Sequence, residues 1–101
     1  MADVLKSPLF LDDLDGAAGY IAGENPAAAQ RFVAAVEQTI ELLSRAPQIG
    51  QPLATTKYPK LRRMSVCGFR VYQLFYEFAQ DEVRVHRLVH GSRDLPAVLE
   101  S

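Results

Sequence analysis

The residues of this 101-residue chain best suited to chemistry gather near its end, in Val83-Arg84-Val85-His86-Arg87-Leu88-Val89-His90-Gly91-Ser92-Arg93-Asp94. Both histidines are here, with three arginines. Imidazole titrates close to neutral pH, and a guanidinium pairs with carboxylate or phosphate through two N–H donors at once. Apolar and polar residues alternate, so the stretch reads as a strand. Val83, Val85 and Val89 fall on one face, and Arg84, His86 and His90 on the other. Two positions break the alternation: Arg87 sits among the valines, and Leu88 among the polar residues. A cation on an apolar face is costly unless paired or open to solvent, so Arg87 is either a satisfied structural arginine or a functional one. Gly91 ends the strand.

Other chemistries find little support. Cys67 is the single cysteine, and without a positioned base it reads as a small buried hydrophobe. One cysteine and two histidines make no zinc motif. No nucleophile elbow and no phosphate-binding glycine loop is present. Asp12, Asp13 and Asp15 resemble a carboxylate cluster, but contiguous aspartates on a helix diverge, and the spacing of a calcium loop is missing. They read instead as charges in the first turns of a helix, where its dipole favours them. Neither a metal nor another cofactor is expected. Lys57 and Tyr58 suit a phosphate or a base, yet they stand in a stretch that reads as a solvated loop.

The length predicts one domain over residues 1–101, with enough apolar residues, 49%, for a core without staples. A lone cysteine and the lack of a secretory signal predict a reducing, cytoplasmic setting. No apolar run approaches the roughly 20 residues of a membrane span. The net charge of −1 hides an asymmetry. Residues 1–56 carry three basic and seven acidic side chains, and residues 57–101 carry eight basic and five acidic. An acidic partner for the second half would explain it, as would ordinary surface charge.

These residues must be positioned by an α+β framework. Val4-Leu5-Lys6 suits a short edge strand. Ser7 as N-cap and Pro8 at the first position start a helix whose apolar stripe is Leu11, Leu14, Ala18 and Ile21. Gly23 suits its left-handed end, Asn25 caps the next helix, and Pro26 opens it. That helix runs to about Arg45, burying Ala29, Phe32 or Val33, Val36, Ile40 and Leu43, and the short link makes an antiparallel hairpin. Gln48 to Pro52 reads as a turn. Leu61 to Cys67 is a strand, Gly68-Phe69 a tight connection, and Arg70 to Phe78 a central strand. Tyr72, Leu74, Tyr76 and Phe78 share one of its faces. The result is β-α-α-β-β-β, a helical hairpin on one face of a mainly antiparallel sheet. The other face is expected to be concave, basic and open. Leu95 to Leu99 is an apolar tail.

The order of certain words in this framework resembles the ParE/RelE toxin superfamily of type II toxin–antitoxin pairs. They are Leu11-Asp12-Asp13-Leu14, Asn25-Pro26-Ala27-Ala28-Ala29, Ser44-Arg45-Ala46-Pro47-Gln48-Ile49-Gly50, Leu61-Arg62, Gly68-Phe69-Arg70-Val71-Tyr72 and Arg87-Leu88-Val89-His90-Gly91-Ser92-Arg93-Asp94. They span nearly the whole chain and look like the ParE branch. The resemblance implies a small toxin neutralised by a cognate, ParD-like antitoxin. ParE-type toxins poison DNA gyrase through protein contact, and RelE-type toxins cut messenger RNA on the ribosome without a metal. Two arginines of the cleaving set have counterparts in Arg70 and Arg93, and Arg63 stands where a strand lysine is expected. Leu61 and Leu99 occupy positions where the family has a lysine and a tyrosine. His90 or His86 could supply the base. The nuclease alternative therefore rests on Arg70, His90 and Arg93. A near-neutral chain is poorly suited to a ribosomal phosphate surface, so gyrase is the expected target. Its expected contacts are Arg62, Arg70, Arg87, His90 and Arg93, with the 95–99 tail. A homodimer, a toxin–antitoxin hetero-oligomer and a non-toxic member that only binds antitoxin stay open.

Overall fold

A computed structural model of the protein describes residues 1–91. Five strands and two helices follow in the order β1 (Asp3–Lys6), α1 (Pro8–Glu24), α2 (Pro26–Arg45), β2 (Gln51–Pro52), β3 (Leu61–Val66), β4 (Phe69–Ala79) and β5 (Glu82–His90). The sheet order is β1-β5-β4-β3-β2, with β1 parallel to β5 and the other pairs antiparallel. This is the expected helical hairpin on a mainly antiparallel sheet. Gln51-Pro52 departs from the expected turn by adding a two-residue edge strand against Arg62 and Arg63.

Both helices start where their local residues dictate. Ser7 Oγ accepts a hydrogen bond from the Phe10 N–H at 3.0 Å, and Asn25 Oδ1 accepts one from Ala28 at 3.1 Å, each with proline opening the helix behind it. Asn25 also ends α1, its N–H donating to the Ile21 carbonyl at 2.8 Å. Gly23 is therefore an ordinary helical residue and not the expected left-handed terminus. The α1 stripe holds as expected at Leu14, Ala18 and Ile21 and differs at its start, where Phe10 takes the place expected of Leu11. Phe10 is fully buried, Leu11 is exposed, and Leu14, Ala17, Ala18 and Ile21 pack beneath. With Pro8 first in the helix, Asp12, Asp13 and Asp15 all lie beyond the first turn, outside the reach of the N-terminal dipole.

The main core lies between the helices and the sheet. Phe32, Val36, Ile40 and Leu43 of α2 meet Val66, Leu74, Tyr76, Val83, Val85 and Leu88. Thr39, buried among them, donates to the Ala35 carbonyl at 2.7 Å and accepts the Cys67 N–H at 3.0 Å, so it carries no unmet polar cost. Cys67 itself is exposed, contrary to the expectation of a buried hydrophobe. Leu61, Phe75 and Val89 form a second, smaller cluster on the opposite face, with Leu53 and Tyr58 packed on it.

Candidate functional site

The break in the alternation of β5 is a β-bulge. Tyr76 pairs with Val85 and Phe75 with Arg87, so His86 is an extra residue that resets the phase. Val83 and Val85 face the helices before it, and Leu88 faces them after it, while Val89 turns to the second cluster. Ser7, the cap of α1, braces the bulge by donating its hydroxyl to the His86 carbonyl at 2.7 Å.

Beyond the bulge, β1 has ended and α1 closes the edge of β5. Arg87 donates from Nε to Asp13 Oδ2 at 2.7 Å and from Nη2 to Asp13 Oδ1 at 3.0 Å. The same Oδ2 accepts the Leu88 N–H at 3.0 Å. One carboxylate thus satisfies a guanidinium and an edge peptide, and this bond, outweighing the opposing effect of partial burial, pushes the Arg87 pKa further up. Sequence reasoning missed Asp13 as the partner, although the misplaced Arg87 signalled that one was needed.

Next to this pair lies an open groove of about 520 Å³, lined in part by Asp12, Gly16, Tyr20, Tyr72, Leu88 and His90. The His90 ring stands edge-on to Tyr72, with centroids 5.2 Å apart. Burial, and then the neighbouring Tyr20, raise the Tyr72 pKa. His90 pairs with Tyr72 in the β4–β5 ladder, two residues along β4 from Arg70. Arg70 and His90 therefore share one end of the sheet. Arg70 is exposed, and among the described residues no hydrogen bond or ion pair reaches its guanidinium.

Arg62 lies elsewhere and has a structural task. Its Nη1 donates to the carbonyls of Gly50, at 2.7 Å, and Gln48, at 3.1 Å. Tyr76 holds the same loop, its hydroxyl donating to the Pro47 carbonyl at 2.7 Å and accepting the Gly50 N–H at 2.9 Å. A Cβ at position 50 would run into the Tyr76 ring, which is why glycine stands there. Arg93 and the 95–99 tail lie outside the described residues.

The face away from the helices is neither open nor uniformly basic, which corrects the expectation. The loop after β2 lays Leu53 and Tyr58 over Leu61, Phe75 and Val89. His86 Nε2 lies 2.7 Å from Glu77 Oε1, with the Tyr58 ring 4.9 Å from its own. Arg84 bonds Glu82 at 2.7 Å, and Arg63 bonds Gln51 at 2.7 Å. Carboxylates and amides thus answer the cations of this face.

Among the described residues, no cluster of three or more His, Cys, Asp or Glu side chains could hold a metal ion. Nor is any helix among them long and apolar enough to cross a membrane.

Residues 4–95 match the ParE toxin of type II toxin–antitoxin systems, parDE. The chain belongs to the ParE toxin family. It is, at that level, the toxin component of a type II toxin–antitoxin system. No curated protein matches it. Among solved structures, it is similar to a chain of the chromosomal ParDE system from P. aeruginosa, with a TM-score of 0.73 and 14% identity, over 89% of this chain and 96% of that one. It is also similar to a conserved hypothetical protein from Helicobacter pylori, with a TM-score of 0.54 and 20% identity, over 92% and 98% of the two chains. At these identities the likeness is one of fold. In this ParE family member, the fold brings Arg70 and His90 to one end of the sheet, and gives Arg62 and Arg87 partners within the chain.

Proposed function

We propose that this chain is the toxin that a cognate antitoxin neutralises, and that it acts by protein contact on DNA gyrase, with no bond broken by its own side chains. The observation that carries the reading is the employment of its cations. Arg87 is bound to Asp13 through two N–H groups, and Arg62 to two main-chain carbonyls. Metal-independent cleavage of RNA needs several cations converging on one phosphate as its charge develops. Of the positions that the resemblance gives to cleavage, Leu61 carries no charge and Arg63 bonds Gln51, so Arg70 with His90 at one sheet end is better suited to serve as a contact surface. The near-neutral charge of the chain also suits a protein target better than a ribosomal phosphate surface.

A ribosome-dependent endoribonuclease is the second reading. The placement of His90 two residues along the ladder from Arg70 favours it, with Arg93 as the third member of its set. Pulse-labelling of DNA and protein synthesis after induction of the chain separates the two. An early fall in DNA synthesis, followed by inhibition of purified gyrase in a supercoiling assay, supports the first. An early fall in protein synthesis, with transcript cleavage that Arg70→Ala abolishes, replaces it with the second.

A further inference from the structure

We infer that β1 pairs with β1 of a second copy of this chain, joining two sheets across a two-fold axis. β1 is the edge of the sheet beyond β5, and among the described residues no strand lies outside it. The N–H groups of Asp3 and Ser7 donate inward, to the carbonyls of Asp81 at 3.2 Å and Val85 at 3.1 Å. In an extended strand that parity turns the N–H and C=O groups of Val4 and Lys6 outward. Ala2 has the same parity, but its N–H is taken by the Ser44 carbonyl at the end of α2, at 2.8 Å. The open edge therefore offers two donors and two acceptors, from Val4 and Lys6.

Natural edges of this kind are blunted by charge, most often by lysine. Lys6 is the lysine of β1, and its ammonium is drawn back to Glu37 on α2, at 3.0 and 2.9 Å. Beside the exposed Asp3 at its start, what remains at the surface of the strand is apolar. Leu5 is 54% exposed and Val4 37%. Met1, Val4, Leu5, Leu9 and Leu11 are five of the eight large hydrophobic residues exposed among the described residues, so the apolar surface gathers at this end of the chain.

Hydrogen-bond parity narrows the register, and the neighbours of Val4 and Lys6 choose within it. In an antiparallel pair, an outward-facing residue must meet another outward-facing one. Val4 opposite Lys6 of the second copy, and Lys6 opposite its Val4, satisfies all four edge groups at once. Leu5 then falls on the two-fold axis, opposite Leu5 of the second copy. That pair is a non-hydrogen-bonded one, with Cα atoms about 4.5 Å apart. Asp3 meets Ser7, so no like charges face each other. Shifts that keep the parity are poorer: with Val4 on the axis, Lys6 falls opposite Ala2, whose N–H is already bound, and with Lys6 on the axis, the two lysines face each other and Val4 falls opposite Pro8, which has no N–H. Leu5 shares a face with Arg84, its partner in the β1–β5 ladder, and Arg84 pairs with Glu77 on the face away from the helices. The Leu5 pair thus meets no helix. The occupant is a second copy because one short strand supplies both halves of the match, as an isologous interface requires.

The test uses the full chain. Sedimentation over a rising concentration series should show monomer passing to dimer. Leu5→Lys, which sets two ammonium groups across the axis, should weaken association roughly tenfold or more. In a Cys67→Ser background, Leu5→Cys should give a disulfide-linked dimer on mild oxidation. Val4→Cys should not, because its Cα atoms lie beyond the roughly 7 Å that a disulfide spans. A chain that stays monomeric at every concentration overturns the inference. So does cross-linking through Val4→Cys in place of Leu5→Cys, or a Leu5→Lys variant that associates as the unsubstituted chain does.

Discussion

Arg87 and Asp13 form a two-pronged ion pair, 2.7 and 3.0 Å long, between the last strand and the first helix. The same carboxylate takes the Leu88 N–H, so it closes the stretch of the β5 edge that β1 leaves uncovered. Both side chains are about four-fifths buried, at 21% and 17% exposure, so solvent screens the pair only in part. Replacing Asp13 with Ala takes two hydrogen bonds from the guanidinium and one from a peptide N–H. The expected cost is about 1–3 kcal/mol of unfolding free energy, read from urea midpoints at constant slope. A double-mutant cycle with Arg87→Met should show a coupling of about 0.5 kcal/mol or more, since the partners are in direct contact. Additive losses would mean that the pair is geometric only.

Tyr76 gives the fold an alkaline limit. Burial raises its pKa, against the lowering effects of the Gly50 N–H and of Arg62. The folded chain therefore holds the phenolic proton more tightly than the unfolded chain, whose tyrosines titrate near 10. By linkage, this contribution is fully present below about pH 10 and is lost as pH rises from there through the folded-state value. Tyr72, raised in the same direction, adds to the slope. Tyr76→Phe should make the fall in stability above pH 10 shallower. At neutral pH it should cost about 1–3 kcal/mol, because the Gly50 N–H and Pro47 carbonyl lose their partner. Denaturation midpoints at pH 7, 9 and 11 measure both effects.

The two helix caps differ in what their loss should do. Asn25→Ala removes a hydrogen bond at an exposed turn, with an expected cost near 1 kcal/mol. Ser7→Ala removes a cap and also the brace on the His86 carbonyl. Its cost should exceed that of Asn25→Ala. Amide exchange should rise at Arg87 and Leu88 as well as in the first turn of α1. Exchange confined to α1 would show that the bulge stands without Ser7.

What the sequence could disclose follows the range of the forces involved. Ser7-Pro8 and Asn25-Pro26 place the helix starts because capping acts over three residues. The alternation of Tyr72, Leu74, Tyr76 and Phe78 places the faces of β4 because pleat parity is local. The bulge at His86 depends on Ser7, 79 residues away, and appeared in the sequence only as a fault in the pattern of β5. At the start of α1, Phe10 and Leu11 are equally apolar neighbours, and only the core of the sheet decides that Phe10 is the one buried, while Leu14, Ala18 and Ile21 were legible from their spacing. The cover of Leu53 and Tyr58 over the second cluster has no periodic signal, so the far face read as open. In the candidate site, Arg62 and Arg87 were legible as cations in notable places. Their partners, the 48–50 carbonyls and Asp13, come from distant segments.

Arg70 and Arg87 should therefore part company in a toxicity assay. Reversing Arg70 to Glu removes an exposed cation whose guanidinium bonds no described residue, so the unfolding midpoint should stay within about 0.5 kcal/mol of the parent. If the contact surface is the sheet end that Arg70 shares with His90, growth inhibition should be lost while the fold persists. Reversing Arg87 to Glu sets a carboxylate against Asp13 and should lower stability by several times as much. Any loss of toxicity there should track the loss of folded chain. The pair of variants is read by thermal unfolding beside growth curves at matched expression. A folded Arg70→Glu variant that still arrests growth would remove Arg70 from the contact surface. A stable Arg87→Glu variant without toxicity would make Arg87 a contact residue despite its bond to Asp13.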